Sequence, residues 1–223
     1  MSPRYAAVLF DCDGVLVDSE PITMGVLRDM LEELGWRMSL AECMRIFVGK
    51  ATKDEAARIE QETGKPFTTA WLHQFWANRD VALKARLQAV AGAPQLVQRA
   101  HAYTQGKIAC VSGADRDKLT LQLQLVGLQS WFASHQVFSG HEFARSKPHP
   151  DVYLVAMQTL QVPAERCLVV EDSTTGVLAG VRAGAVVVGY AHPDNPVVTA
   201  EQLRAAGASH VVQHLDEVHP LLA

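Results

Sequence analysis

The feature that most constrains the fold is a regular alternation of short apolar runs with helical stretches in the second part of the chain. The apolar runs lie at 107–111, 135–138, 167–170, 185–188 and 210–212. The stretches that predict helices lie at 94–104, 115–126, 150–161, 173–183 and 200–206. Strands that alternate with helices are typical of a doubly wound α/β fold with a parallel sheet. A further apolar run at 6–10 predicts a buried strand of the same sheet.

Residues 18–89 have a different character and predict an inserted all-helical domain. The segment has no convincing strand. It has four patterns that predict helix starts: Asp18 or Ser19 before a helix at 20–34, capping boxes at 39–42 and 52–55, and Thr68 or Thr69 before a helix that ends near 88. We therefore expect an α/β core formed by residues 1–17 and 90–223, with a helical cap at 18–89.

Composition favours small-molecule chemistry. The chain carries 20 Lys and Arg against 24 Asp and Glu, a net charge of −4, whereas a nucleic-acid partner would usually require a basic face. No apolar stretch resembles a membrane span and the N-terminus does not resemble a signal peptide, so we expect a cytoplasmic protein that does not bind a membrane. The sequence gives no indication of an obligate protein partner. The four cysteines form no CxxC pair and three lie in apolar runs, which predicts structural thiols.

Polar residues follow the predicted strands at the end where open parallel sheets bind their ligands. Asp11 and Asp13 come directly after the first strand, and alternation along an extended chain points both carboxylates to the same side. Gly14 then lets the backbone turn away. The other strand ends contribute Ser112, Gly113, Lys147, Glu171 and Asp172. Because a buried charge without partners costs several kcal/mol, acids at these positions imply a bound cation, a substrate, or both.

Four segments resemble, in their order and spacing, the motifs of the haloacid dehalogenase superfamily. They are Asp11-Cys12-Asp13-Gly14-Val15, Ser112 after an apolar strand, Lys147-Pro148-His149-Pro150 and Glu171-Asp172-Ser173. The resemblance covers nearly the whole chain and points to the phosphatase and phosphomutase branch, in which a helical cap is inserted after the first motif. It implies a Rossmann-like core that acts on a small phosphorylated metabolite.

The resemblance also implies a role for each motif residue. Asp11 would attack phosphorus and carry the phosphoryl group as an aspartyl phosphate, which splits one difficult displacement into two. Asp13 would give a proton to the leaving oxygen and later take one from the attacking water. Ser112 and the backbone amides of Gly113 and Ala114 would hold phosphoryl oxygens at the start of a helix.

The acids of the motifs imply Mg²⁺ as the cofactor, because this ion prefers hard oxygen ligands. The expected ligands are the Asp11 carboxylate, the Asp13 backbone carbonyl and the Asp172 carboxylate, with Glu171 as a further ligand or as a support for one. Lys147 would place a fixed positive charge against the phosphate and Asp11. No His or Cys cluster has zinc spacing near these positions, so zinc is not expected.

The helical segment supplies candidates for substrate contact, and its residues help to distinguish a phosphatase from a phosphomutase. Glu20, Lys50 and Lys53 could face the substrate from this segment. Phosphomutases of the β-phosphoglucomutase type also resemble the chain, but their cap histidine and cap arginine align with Thr23 and Thr52. Threonine can neither shuttle a proton near neutral pH nor clamp a phosphate with two parallel bonds. We therefore expect a phosphatase, with the mutase as the alternative. The resemblance favours a sugar phosphate as the substrate, while phosphoglycolate, nucleoside monophosphates and sugar-acid phosphates stay open.

The acid at position 13 separates this chain from two other activities of the superfamily. Dehalogenases and phosphonoacetaldehyde hydrolases resemble it in fold but lack an acid at that position. A non-catalytic metabolite-binding protein on the same fold stays open, because a fold alone does not establish activity. Such a protein would be expected to have lost some of the acids, whereas this chain retains Asp11, Asp13, Glu171 and Asp172.

Overall fold

The fold is built on one sheet of parallel strands. The computed structural model describes residues 4–48, 50, 52–193 and 197–223. Its strands are β1 (Ala7–Phe10), β2 (Ile108–Ser112), β3 (Val137–Ser139), β4 (Cys167–Glu171), β5 (Val186–Tyr190) and β6 (His210–Val212). They are ordered β3-β2-β1-β4-β5-β6, and every neighbouring pair is parallel. The parallel sheet predicted from the alternating pattern is therefore confirmed.

Helices connect the strands, as parallel neighbours require. They are α1 (Glu20–Glu33), α2 (Leu40–Phe47), α3 (Ala56–Thr63), α4 (Thr69–Arg86), α5 (Ala93–Tyr103), α6 (Arg116–Leu125), α7 (Asp151–Leu160), α8 (Thr174–Arg182) and α9 (Ala200–Ala205). Among the described residues, the first five α-helices lie between β1 and β2, and one α-helix lies in each later connection. Within the described ranges, no helix has the length and apolar character needed to span a membrane.

The chain divides into two compact units. The first consists of Met1–Val17 and Gln88–Ala223, and it contains the sheet with α5–α9. The second is Asp18–Leu87, which contains α1–α4 and has no strand among its described residues. The all-helical segment is thus an insertion between the first two strands of the sheet.

The segments that border the insertion pair with each other inside the first unit. The Val90 N–H donates to the Leu16 carbonyl at 3.1 Å, and Val17 forms an antiparallel bridge with Ala89. Leu16 and Val17 are fully buried. The chain therefore leaves and re-enters this unit at neighbouring points, and the long insertion leaves the order of the strands unchanged.

The helix starts of the second unit confirm two sequence predictions, at Ser39 and Thr68, and correct two. Ser39 and Glu42 form the predicted capping box at the start of α2. The second predicted box, Thr52–Glu55, is instead a 3₁₀ helix, and α3 begins only at Ala56. A capping pattern specifies bonds within one turn, so it does not distinguish a 3₁₀ turn from the start of an α-helix. Ser19 precedes α1 in a helical conformation and makes no side-chain cap bond.

The four cysteines are free and buried, at positions Cys12, Cys43, Cys110 and Cys167. Burial raises the pKa of Cys43 to about 11 and that of Cys167 to about 12. Because the thiolate is the reactive form, we expect the native protein to react slowly with an aromatic disulfide reagent near neutral pH, and all four thiols to react quickly in denaturant. Rapid native reaction of several thiols, followed by absorbance, would contradict the structural interpretation.

Candidate active site

The acid that follows β1 is buried at the carboxyl edge of the sheet. The Asp11 N–H donates to the Val170 carbonyl at 3.0 Å, and the residue is only 7% exposed. Its strand lies between β2 and β4, so the ends of these two strands flank it. Gly14 turns the chain with a φ of +81°, and a Cβ there would lie 2.0 Å from Asp172 Oδ2. Glycine at this position therefore lets the loop after β1 approach Asp172.

Lys147 connects two of the acids. Its Nζ donates to Asp11 Oδ1 at 2.7 Å, to Glu171 Oε1 at 2.5 Å and to the Val111 carbonyl at 3.0 Å. Burial acts to lower the pKa of the Lys147 amine, but the Asp11 and Glu171 carboxylates outweigh it, and the pKa lies well above its ordinary value. The lysine is therefore a permanent positive charge inside the acid cluster.

Three buried acids are close enough to share a cation. Ligand oxygens of Asp11, Glu171 and Asp172 lie within 4.8 Å of one another. Burial raises the pKa of the Asp11 carboxyl, Lys147 lowers it, and Glu171 and Asp13 raise it again, which leaves it well above its ordinary value. An additional cation would favour the ionised form of these acids. Carboxylate oxygens are ligands for hard divalent cations, so the three residues fit a divalent metal ion.

Several groups fix the orientation of Glu171. The Tyr153 hydroxyl donates to its Oε1 at 2.9 Å, and the Ser173 hydroxyl donates to its Oε2 at 3.0 Å. The Lys147 ammonium lies 4.9 Å from the centre of the Tyr153 ring, within cation–π distance. A Cβ on Gly176 would lie 1.8 Å from Glu171 Oε1, so a larger residue at that position would displace the carboxylate.

The Asp13 carboxylate points toward α6. Lys118 Nζ and Gln122 Nε2 both lie 2.7 Å from its Oδ1, and Ser112 Oγ lies 3.4 Å from its Oδ2. Neither Lys118 nor Gln122 is among the site residues predicted from the sequence. The available signal was their spacing of one turn, together with a glutamine on the helix face that otherwise buries Leu119.

The residues that follow β2 form the predicted strand–turn–helix. Ser112 ends the strand and is 1% exposed, and Asp115 caps α6 by accepting from the Lys118 N–H. Gly113 and Ala114 lie between them, as the sequence predicts. The Ala114 N–H donates to Ser112 Oγ at 3.0 Å. To hold a phosphoryl oxygen, as expected from the resemblance, this amide would have to exchange that bond.

The candidate residues of the second unit occupy different environments. Glu20 is the first residue of α1 and is half-buried. Lys50 is exposed, with its Nζ 3.1 Å from Glu55 Oε1, and Lys53 is exposed in the 3₁₀ helix. The contact of these residues with a substrate stays a prediction.

The parallel sheet, with acids and a lysine collected at its carboxyl edge, defines a Rossmann-like α/β enzyme. The family model described as haloacid dehalogenase-like hydrolase matches residues 5–184, and the chain belongs to this family. The family predicted from the four motifs is thereby confirmed.

Relatives extend over most of the chain. It is 30% identical over 198 residues to the 6-phosphogluconate phosphatase of Escherichia coli (strain K12), covering 87% of each chain. It is 28% identical to a plasmid-encoded phosphoglycolate phosphatase of Cupriavidus necator, covering 97% of this chain and 92% of the relative. A crystal structure of a HAD family hydrolase from Deinococcus radiodurans R1, with bound phosphate and sodium, is 32% identical with a TM-score of 0.81, covering 100% of this chain and 96% of that chain. Family and relatives together identify a phosphoric monoester hydrolase.

Proposed function

We propose that the protein is a Mg²⁺-dependent phosphatase that hydrolyses a small phosphorylated metabolite through an aspartyl phosphate on Asp11. The observation that carries this proposal is the buried cluster in which Lys147 bridges Asp11 and Glu171 at 2.7 and 2.5 Å. A stability role alone does not account for it, since several buried acids around one lysine leave a negative excess. A cation and a phosphorylated substrate account for both the acids and the lysine.

In the proposed reaction, Asp11 is the nucleophile and Asp13 is the general acid and base. An Asp11 carboxylate oxygen bonds to phosphorus while the bond from phosphorus to the leaving oxygen breaks, and Asp13 protonates that oxygen. A water molecule then attacks the aspartyl phosphate and gives its proton to Asp13, which releases inorganic phosphate and restores Asp11. Lys147 and Ser112 hold phosphoryl oxygens through charge and hydrogen bonding.

The three buried acids would hold the metal. Asp11 and Asp172 would supply carboxylate oxygens, Asp13 would supply its backbone carbonyl, and Glu171 would be a further ligand or would orient one. When bound, Mg²⁺ supplies positive charge against the phosphoryl oxygens. Its charge also favours the ionised form of Asp11 that a nucleophile requires.

The proposed substrate is a small sugar phosphate or sugar-acid phosphate. Two relatives, a 6-phosphogluconate phosphatase and a phosphoglycolate phosphatase, support a small phosphorylated metabolite. In this proposal residues 18–89 act as a cap that excludes water, and Glu20, Lys50 and Lys53 are the first candidates for substrate recognition.

The test is phosphate release from a panel of phosphorylated sugars, sugar acids, polyols, glycolate and nucleotides. We expect release from some of them with Mg²⁺, a loss of at least about a hundredfold with excess EDTA, and recovery when Mg²⁺ is restored. Activity unchanged by EDTA would contradict the metal proposal. The alternative outcome is that no substrate of the panel releases phosphate, while β-glucose 1-phosphate is converted to glucose 6-phosphate when a bisphosphate primer is added. That outcome would show that the protein is a mutase and not a phosphatase.

A further inference from the structure

Two side chains outside the proposed metal-ligand set hold the Asp13 carboxylate. Lys118 Nζ and Gln122 Nε2 each lie 2.7 Å from the same oxygen, Asp13 Oδ1. Both residues belong to α6 and are four positions apart, so they project from the same face of one helix. The other oxygen, Oδ2, lies 3.4 Å from Ser112 Oγ. One helix therefore fixes which oxygen of Asp13 faces α6 and which lies beside Ser112.

A second hydrogen bond orients the Gln122 amide. The side chain is fully buried, and Cys12 Sγ donates to its Oε1 at 3.6 Å. Because the amide oxygen accepts from the thiol, the amide NH₂ group is the end that faces Asp13. Cys12 and Asp13 are adjacent in the loop after β1, so Gln122 contacts this loop at two consecutive residues. Because both ends of the buried Gln122 amide are hydrogen-bonded, its orientation is defined. Its hydrogen bond to Asp13 in turn orients the Asp13 carboxylate.

We propose that Lys118 and Gln122 are positioning residues that present Oδ2 of Asp13 to the leaving-group oxygen. The inference rests on the acid–base role proposed above for Asp13. An oxygen that accepts two N–H bonds, one of them from a cation, is the poorer position for a proton, so the proton resides on Oδ2. The carbonyl oxygen of a protonated carboxyl group is still an acceptor, so both bonds to Oδ1 are compatible with either form of Asp13.

The positioning of Asp13 affects the proton transfers of the reaction. As the bond from Asp11 to phosphorus forms, the bond from phosphorus to the leaving oxygen breaks and the proton on Oδ2 passes to that oxygen. In the second half-reaction, water bonds to phosphorus, its proton goes to Oδ2, and Asp11 leaves. Loss of either N–H donor lets the carboxyl group rotate, which slows proton transfer most for leaving groups that depend on it.

The test compares two substrates that differ in their need for a proton. 4-Nitrophenyl phosphate releases a weak base, whereas glycerol 3-phosphate releases a strongly basic alkoxide. In Gln122→Met and Lys118→Met, we expect kcat/KM for glycerol 3-phosphate to fall roughly tenfold, a part of the 10²–10⁴-fold that acid–base catalysis contributes. For 4-nitrophenyl phosphate we expect a change of less than about threefold. Lys118→Arg, which keeps a charged donor, should recover most of the activity.

The matched control is Gln124→Met, because Gln124 is an exposed glutamine of the same helix. Equal losses on both substrates, with thermal unfolding shifted in parallel, would overturn the positioning role. Asp13→Asn is the reference: if it does not discriminate between the substrates, the acid role itself fails. If the wild type hydrolyses neither probe, crystal structures of wild type and Gln122→Met decide, and an Asp13 carboxylate in the same orientation in both would overturn the proposal.

Discussion

The Asp11→Asn variant should release phosphate at least about a thousandfold more slowly than the wild type, because an amide cannot form the acyl phosphate. The loss should occur without a loss of fold. The asparagine oxygen can still accept from Lys147, and the substitution removes a carboxyl group whose burial raises its pKa well above the ordinary value. We therefore expect a thermal unfolding midpoint equal to or above that of the wild type.

Two measurements separate a lost nucleophile from a lost fold. The first is the initial rate of phosphate release, with Asp117→Asn as the control, since Asp117 is an exposed aspartate of the first unit. The second is acid quenching with ³²P-labelled substrate, in which the wild type should retain protein-bound label that hydroxylamine removes. Label retained by Asp11→Asn, or a rate within about tenfold of the wild type, would remove Asp11 from the nucleophilic role.

The part of the site that lies at strand ends and in the loops that follow them could be predicted from the sequence. β1, β2 and β4 are continuous buried runs, and β1 and β4 begin and end within a residue of their predicted limits. Since a parallel sheet gathers the carboxyl ends of its strands at one edge, residues far apart in the chain were expected to meet there. The structure does bring Lys147 to within 2.7 Å of Asp11 and 2.5 Å of Glu171.

The part of the site that lies on helices could not be predicted in the same way. A helical pattern shows which face is buried, but not which strand end that face meets. Tyr153 looks like an ordinary core residue of α7, yet its hydroxyl bonds to Glu171. Gln122 breaks the apolar face of α6, and only the structure shows that its partners are Cys12 and Asp13. The need for a glycine at position 176 likewise depends on the conformation of the turn from β4 into α8, which brings this residue against Glu171.

Replacement of Lys147 by methionine should lower the free energy of unfolding by about 3–5 kcal/mol near neutral pH in EDTA, in addition to a strong loss of activity. The side chain is 9% exposed, and its ammonium group bonds to Asp11 and Glu171. Methionine fills a similar volume but leaves two buried carboxyl groups without this charge. The matched control is Lys107→Met, because Lys107 is an exposed lysine of the same unit, and it should change stability by less than about 1 kcal/mol.

The loss of unfolding free energy in Lys147→Met should increase as the pH rises. Burial raises the pKa of Asp11 and Lys147 opposes the rise, so removal of the lysine raises that pKa further. A group whose pKa is higher in the folded state than in the unfolded state favours folding at low pH and loses that contribution as the pH rises. The lysine itself stays charged throughout, since its own pKa is raised. Urea unfolding should therefore show a larger deficit at about pH 8 than at about pH 5.

Added Mg²⁺ distinguishes a charge effect from a packing effect in this variant. If the acids bind the ion, Mg²⁺ stabilises the folded state by mass action and restores part of the stability that Lys147→Met loses. A packing defect would leave the deficit the same at both pH values and unaffected by Mg²⁺. That outcome would show that the lysine fills space rather than balancing charge, and it would remove the main support for an electrostatic phosphate site at this edge of the sheet.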